Sequence, residues 1–181
     1  MRTLVRQAGP PTVTRAAGII SPVASALAAA HAAGLVHRDV KPANMLLDAR
    51  RGRPDHVYLS DFGLSKGTMS SVGLTGTGSF LGTPDYSSPE QIAGKPIDGR
   101  ADQYSLACAA FELLSGAPPF PRDHGMAVIW AHSAEPPPAL TSRRTGLPAA
   151  VDDVLARALA KDRADRYIRP AGTSPRHCDP R

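Results

Sequence analysis

Cysteine, aromatic residues and lysine are all scarce in this 181-residue sequence. The two cysteines, Cys108 and Cys178, are too few for a disulfide framework and have no metal-ligand spacing, which favours a reducing cytoplasm. Aromatic residues make up only 5% of the chain and are not interleaved with the basic residues. The net charge of +5, carried by 17 arginines and four lysines, therefore does not indicate a nucleic-acid partner.

Long apolar runs and targeting signals are also missing. The longest apolar run, residues 23–36, is interrupted by Ser25 and His31 and is shorter than a bilayer crossing requires. No basic region followed by an apolar segment opens the chain. We therefore expect no membrane segment, and the even composition with 42% apolar residues predicts one domain with one core.

The most informative residues are two short motifs that lie close together in the sequence. Residues 37–44 read HRDVKPAN, and residues 61–63 read DFG. At these spacings two acids, a lysine and an amide supply a base for an attacking hydroxyl, a counter-charge for phosphate and oxygen ligands for magnesium. The alternatives are a solvated basic turn after a helix for the first motif and an Asx-type turn for the second. The pattern favours phosphoryl transfer.

With these motifs the chain resembles a bacterial, actinobacterial-type serine/threonine protein kinase, over about residues 2–167. The resemblance implies a mainly α fold, a protein-kinase-like large (C-terminal) lobe with a small β-hairpin, in residues 1–167. The remaining residues, 168–181, have no apolar period, and we expect a disordered tail. A lysine at position 41 is typical of the serine/threonine branch of the family.

By resemblance, three residues take part in catalysis. Asp39 would accept the proton of the substrate hydroxyl, and Lys41 would neutralise the γ-phosphate. Thr83, in the stretch GTPDYSSPE at residues 82–90, would help to seat a protein substrate that presents Ser or Thr. Taken alone, each residue of that stretch could equally be plain surface.

The resemblance also implies ATP and Mg²⁺ as cofactors. Asn44 and Asp61 would hold magnesium through side-chain oxygens, which are the ligands that this hard cation prefers. Leu46 would form the floor of the adenine pocket, although a leucine in such a run is more often a core residue.

Five residues would hold the site together in the family. His37 and Phe62 would pack against each other, and Glu90 would form a buried ion pair with Arg166. Asp102 would accept backbone N–H bonds from the catalytic loop. Its alternative role is the N-cap acid of a buried helix, and both roles can hold at once.

Regulation would involve the loop at residues 66–82, whose Gly, Ser and Thr content predicts mobility. Arg38, directly before Asp39, marks kinases whose catalytic loop is ordered by a phosphate on this loop. Thr75 and Thr77 have the spacing to Thr83 at which bacterial receptor-type kinases carry activating threonines. The alternative is that both are simple loop hydroxyls.

Hydrophobic periodicity and turn residues predict the surrounding elements. They are a helix over 22–33 that stops at Gly34, a hairpin from 45–47 and 56–59, a buried helix over 102–115, a short helix around 128–130 and an amphipathic helix over 151–159.

Parts of the family pattern are missing from the sequence. The 36 residues before His37 contain no lysine and no Gly-x-Gly-x-x-Gly, and the expected final helix after Tyr167 is replaced by IRPAG. We therefore expect a large-lobe fragment without the small lobe, with little or no kinase activity alone. The alternatives are a non-catalytic binding module that docks to another kinase chain or to a substrate, and the product of a decayed gene.

Overall fold

The computed structural model describes residues 9–48, 56–62 and 84–167. These residues form helices around one two-stranded sheet, in agreement with the predicted mainly α fold and small hairpin. The helices are α1 (Val13–Ala32), α2 (Pro89–Ile92), α3 (Gly99–Ser115), α4 (Gly125–Ala134) and α5 (Ala150–Ala158), and the strands are β1 (Met45–Asp48) and β2 (His56–Leu59). Short 3₁₀ turns lie at Pro42–Asn44, Pro84–Tyr86, Leu140–Ser142 and Arg163–Asp165.

Helix α3 lies at the centre of the core, as its apolar composition predicts. It begins three residues before the predicted start because Asp98 caps it and accepts a hydrogen bond from the Arg100 amide. Asp102 therefore lies inside the first turn, and the alternative that it is the N-cap is wrong. The helix ends at Gly116, whose φ of 88° is a left-handed conformation that favours glycine.

Helix α1 packs against α3 and is longer than predicted. It begins at Val13, where the Thr12 side chain accepts a hydrogen bond from the Arg15 amide. Pro22 did not mark the start of the helix but lies within it. Because Pro22 and Gly18 are both exposed, water can satisfy the Gly18 carbonyl that lacks an amide partner.

By length and composition α1 could cross a membrane, which the prediction from residues 23–36 did not anticipate. Its buried residues are those of a core helix and lie along one face: Ala16, Ile19, Val23 and Leu27. A core helix of a soluble protein passes the same test, so one such helix is weak support for a membrane span.

The hairpin has an inner side and an outer side. Met45 of β1 is fully buried in a cluster with Val23 of α1 and Leu106 of α3. Leu46 and its antiparallel partner Tyr58 are each about half exposed, at 54% and 49%. The inner side of the hairpin is thereby fixed to the two long helices, while apolar side chains remain on its outer side.

Helices α4 and α5 confirm the two shorter predicted helices, with one difference in α5. Leu155 and Ala158 are buried, but Val154 is half exposed although it fits the predicted apolar face. The apolar stripe is therefore narrower than the sequence period suggests.

A buried polar cluster joins α4 to α3. The Tyr104 hydroxyl contacts His132 Nδ1 at 2.9 Å, and Lys161 Nζ donates to the carbonyls of Ala131 and His132 at 3.0 and 2.8 Å. His132 is fully buried, and its Nε2 has no partner among the described residues. Burial lowers the pKa of His132 to about 3 and that of Lys161 to about 8.

Candidate active site

Asp102 anchors the start of the catalytic loop, as the resemblance implies. Its fully buried carboxylate accepts hydrogen bonds from the amides of His37 at 2.8 Å and Arg38 at 2.7 Å. The ring of His31, on α1, contacts the same carboxylate at 2.7 Å. Arg38 has a φ of 70°, which is costly for a residue with a side chain, and these bonds to a buried anion offset that cost.

His37 joins the catalytic loop to the end of β2. Its Nε2 donates to the Ser60 carbonyl at 2.9 Å, while its Nδ1 accepts from the Asp39 amide at 3.2 Å, so one neutral tautomer satisfies both contacts. Its ring meets Phe62 edge-on, with centroids 4.6 Å apart, which is the predicted packing. The two sequence motifs are therefore brought together by a fully buried histidine.

Two donors converge on the side chain of Asp39. Lys41 Nζ lies 2.9 and 2.8 Å from its two carboxylate oxygens, and Asn44 Nδ2 donates to Oδ2 at 3.0 Å. Asn44 Nδ2 also donates to the Asp39 carbonyl at 2.8 Å. The Asp39 side chain is nevertheless 46% exposed, so its carboxylate is held by these donors and remains accessible to solvent.

Asn44 and Asp61 fit a magnesium ion by the chemistry of their donor atoms. Because Asp39 occupies the Asn44 amide nitrogen, the Asn44 side-chain oxygen is left as an acceptor. Asp61 has a φ of 64°, and the hydroxyl of Ser60 donates to its carboxylate at 3.1 Å. Among the described residues no three His, Cys, Asp or Glu side chains form a metal cage. Magnesium commonly binds few protein oxygens together with phosphate and water.

Leu46 is exposed next to these polar groups rather than buried as a core residue. It follows Asn44 by two positions on β1, and its neighbour across the hairpin is Tyr58. The structure therefore provides an apolar surface beside the site, where the resemblance expects the adenine ring.

The predicted ion pair between Glu90 and Arg166 is present and buried. Arg166 Nη1 and Nη2 donate to the two Glu90 oxygens at 2.7 and 2.8 Å, and the two residues are 0% and 5% exposed, respectively. Arg166 Nη1 and Nε also donate to the carbonyls of Arg100 and Ala160. The pair thus fixes the start of α2 against α3 and the turn after α5.

Several supporting residues were not found from the sequence. Ser88 and Gln91 form a capping box at the start of α2, and Gln91 Nε2 also donates to the Arg38 carbonyl at 2.8 Å. The Ser-x-x-Gln spacing is a recognised helix-start signal and could have revealed this pair. No pattern in the sequence indicates the contacts of His31 or Ser60, because those contacts arise only from the fold.

Thr75, Thr77 and Thr83 lie outside the described residues, and so do the loop at 66–82 and the tail at 168–181. Their predicted roles in substrate seating and regulation stay predictions.

Comparisons with known proteins agree on one family. A family model described as "Protein kinase domain" matches residues 1–170. The serine/threonine-protein kinase PknJ of Mycobacterium tuberculosis is 48% identical over 158 residues, which is 86% of this chain and 27% of PknJ. PknD of the same species is 44% identical over 169 residues, which is 93% of this chain and 25% of PknD.

A solved structure gives the same result. The crystal structure of the Mycobacterium tuberculosis PknI kinase domain matches with a TM-score of 0.65 and 37% identity, over 90% of this chain and 53% of that chain. This chain spans about a quarter of the length of the curated relatives named above and about half of the solved kinase domain. It belongs to the protein kinase family, among relatives that are named serine/threonine kinases of mycobacteria.

Proposed function

We propose that this chain carries the catalytic loop of a serine/threonine protein kinase, which transfers the γ-phosphate of ATP to a Ser or Thr hydroxyl. The observation that supports this best is the convergence of Lys41 and Asn44 on the half-exposed carboxylate of Asp39. A carboxylate held in this way can receive a proton without changing its position.

In the proposed reaction Asp39 accepts the proton of the substrate hydroxyl as that oxygen attacks the γ-phosphorus. The bond from this phosphorus to the bridging oxygen breaks, and ADP leaves with the electron pair. Lys41, whose Nζ already lies beside Asp39, donates to the γ-phosphate oxygens and balances their charge. Thr83 would help to hold the hydroxyl of the substrate.

Asn44 and Asp61 would hold Mg²⁺ through oxygen atoms, and Leu46 would contact the adenine ring. When bound, the ion neutralises charge on the β- and γ-phosphates. The exposed apolar side chain of Leu46 supports the second assignment, and the Asn44 side-chain oxygen, a ligand type that Mg²⁺ accepts, supports the first.

Catalysis also needs groups that the first 36 residues do not provide, namely a glycine-rich loop and a lysine that positions the phosphates. In phosphoryl transfer, positioning and electrostatics supply nearly all of the rate enhancement. The reaction therefore requires those groups in addition to the site described here, on the same polypeptide or on a second one.

The proposed partners follow from this reaction. One is a protein that presents Ser or Thr, and another kinase chain is a second candidate. We propose a cytoplasmic location, which the free and buried thiol of Cys108 supports.

We propose that phosphate on Thr75 and Thr77 activates the kinase through Arg38. Each phosphate adds about −1.5 to −2 charges. The side chain of Arg38 is exposed, and within the described part of the chain no carboxylate pairs with its guanidinium. An arginine of this kind is available to a phosphate.

The proposed function is tested with a chimaera that joins this chain to the PknJ segment preceding the region that matches it, as the proposed source of the missing phosphate-positioning groups. We expect transfer of labelled phosphate from ATP to a Ser/Thr peptide and not to a tyrosine peptide, with only a trace from the 181-residue chain alone. A folded chimaera with no transfer above that of the PknJ segment alone would contradict the proposal.

A further inference from the structure

Ser60 connects the two residues to which the proposed function assigns the metal ion. Its amide donates to the Asn44 carbonyl at 2.9 Å. Its hydroxyl lies 3.2 Å from the same carbonyl and 3.1 Å from Asp61 Oδ2. Since the Asn44 carbonyl already receives the Ser60 amide, the charged carboxylate is the stronger acceptor for the single hydroxyl proton.

The backbone of Ser60 is fixed on both sides. Its amide is bound to Asn44, and its carbonyl accepts the hydrogen bond from the buried ring of His37 at 2.9 Å. The backbone position that carries the Ser60 hydroxyl is therefore fixed. Asp61, in contrast, is exposed and has a left-handed φ of 64°, so without a local partner its carboxylate could rotate freely in water.

We propose that Ser60 is a positioning residue for the divalent cation. The Ser60 hydroxyl holds the Asp61 carboxylate in the orientation that binds the metal. This inference rests on the proposed function, because it takes Asn44 and Asp61 as the metal ligands. A partner that orients a ligand from outside the first coordination shell typically contributes tenfold or more to metal affinity.

The inference is tested on the full chain, labelled with ¹⁵N and titrated with Mn²⁺ as the probe for Mg²⁺. Paramagnetic broadening of the Asn44 and Asp61 amide signals reports binding at this site. The variants are Ser60→Ala, which removes the hydroxyl and keeps both backbone bonds, and Ser60→Thr, which keeps the hydroxyl. Ser133→Ala, at an exposed position on α4, is the matched control.

We expect Ser60→Ala to need about tenfold more Mn²⁺ for half-maximal broadening, and Ser60→Thr and Ser133→Ala to stay within about twofold of the native chain. Without metal, side-chain coupling constants should show one Asp61 rotamer in the native chain and averaging in Ser60→Ala. A role in folding alone would leave both readouts unchanged in a folded variant.

Equal Mn²⁺ midpoints in the native chain and Ser60→Ala, or the same single Asp61 rotamer in both, would contradict the role of Ser60 alone. No broadening of Asn44 and Asp61 in the native chain would contradict the metal site of the proposed function, and the role of Ser60 with it.

Discussion

Arg166 and Glu90 lie 76 positions apart in the sequence and form a buried ion pair with two hydrogen bonds. The pair joins the first turn of α2 to the turn after α5. Because both charges are removed from water, each depends on the other for compensation.

Arg166→Ala should therefore lower the free energy of unfolding by about 3–5 kcal/mol, because it leaves the Glu90 carboxylate buried and unpaired. The control is Arg122→Ala, which breaks the partly exposed pair with Glu135 and should cost at most about 1 kcal/mol. Urea unfolding of both variants measures the difference. Similar decreases in the free energy of unfolding for Arg166→Ala and Arg122→Ala would contradict the larger stability effect expected for the buried pair.

His31 can reach Asp102 only because position 99 is glycine. A Cβ at Gly99 would lie 2.5 Å from His31 Nδ1, so Gly99→Ala should displace the ring and cost about 1–3 kcal/mol. In a His31→Ala background the same change should cost at least about 1 kcal/mol less, since no ring is left to displace. Thermal or urea unfolding of the four proteins gives this double-mutant cycle.

Gly18→Ala is the matched control for Gly99→Ala. Gly18 lies in helix α1 with nothing within 4 Å of an added Cβ, so alanine there should stabilise the protein by about 0.5–1 kcal/mol. If Gly99→Ala also stabilises the native chain, the close contact between Gly99 and His31 does not exist in solution.

The catalytic loop was predictable from the sequence because Asp39, Lys41 and Asn44 all lie within one eight-residue motif. The buried helix α3 and the hairpin were predictable because their apolar patterns are local. The start of α1 was not, since an exposed Pro22 is tolerated inside a helix that tertiary packing stabilises. The contact between His31 and Asp102 joins residues 71 positions apart, so only the fold reveals it.

The buried His132 should make the protein less stable in acid. Its pKa is lowered to about 3 in the folded state, while an unfolded chain binds this proton near pH 6.5. Between these pH values the unfolded state binds more protons than the folded state. The stability that neutral His132 contributes to the folded state is therefore fully present above pH 6.5 and falls as the pH decreases towards 3. Between pH 7 and pH 5 this group alone should remove about 2 kcal/mol.

The measurement is the difference in unfolding free energy between the native chain and His132→Asn at several pH values. That difference should change by about 2 kcal/mol between pH 7 and pH 5, whereas His124→Asn, at an exposed position, should follow the native curve in parallel. If the unfolding free energies of His132→Asn and of the native chain change in parallel with pH, His132 is not buried as a neutral group.

Autophosphorylation of the chimaera should place phosphate on Thr75 and Thr77, because both have the spacing to Thr83 that is typical of activating threonines. Arg38, directly before Asp39 in the sequence, offers a positive charge to such a phosphate. Mass spectrometry after incubation with ATP and Mg²⁺ locates the phosphates, and Arg38→Ala should remove the activation that they cause. Phosphate found only on Ser70 or Ser79 would argue against this mechanism of regulation.

The most direct test of Asp39 as the catalytic base is the rate at which the chimaera transfers phosphate when Asp39 is replaced by Asn. The amide keeps the shape of the side chain but cannot accept the proton, so we expect the rate to fall at least about a hundredfold with ATP binding retained. Asp153→Asn, at an exposed position on α5, should leave the rate unchanged. A rate for Asp39→Asn equal to that of the unchanged chimaera would contradict the assignment of Asp39 as the catalytic base.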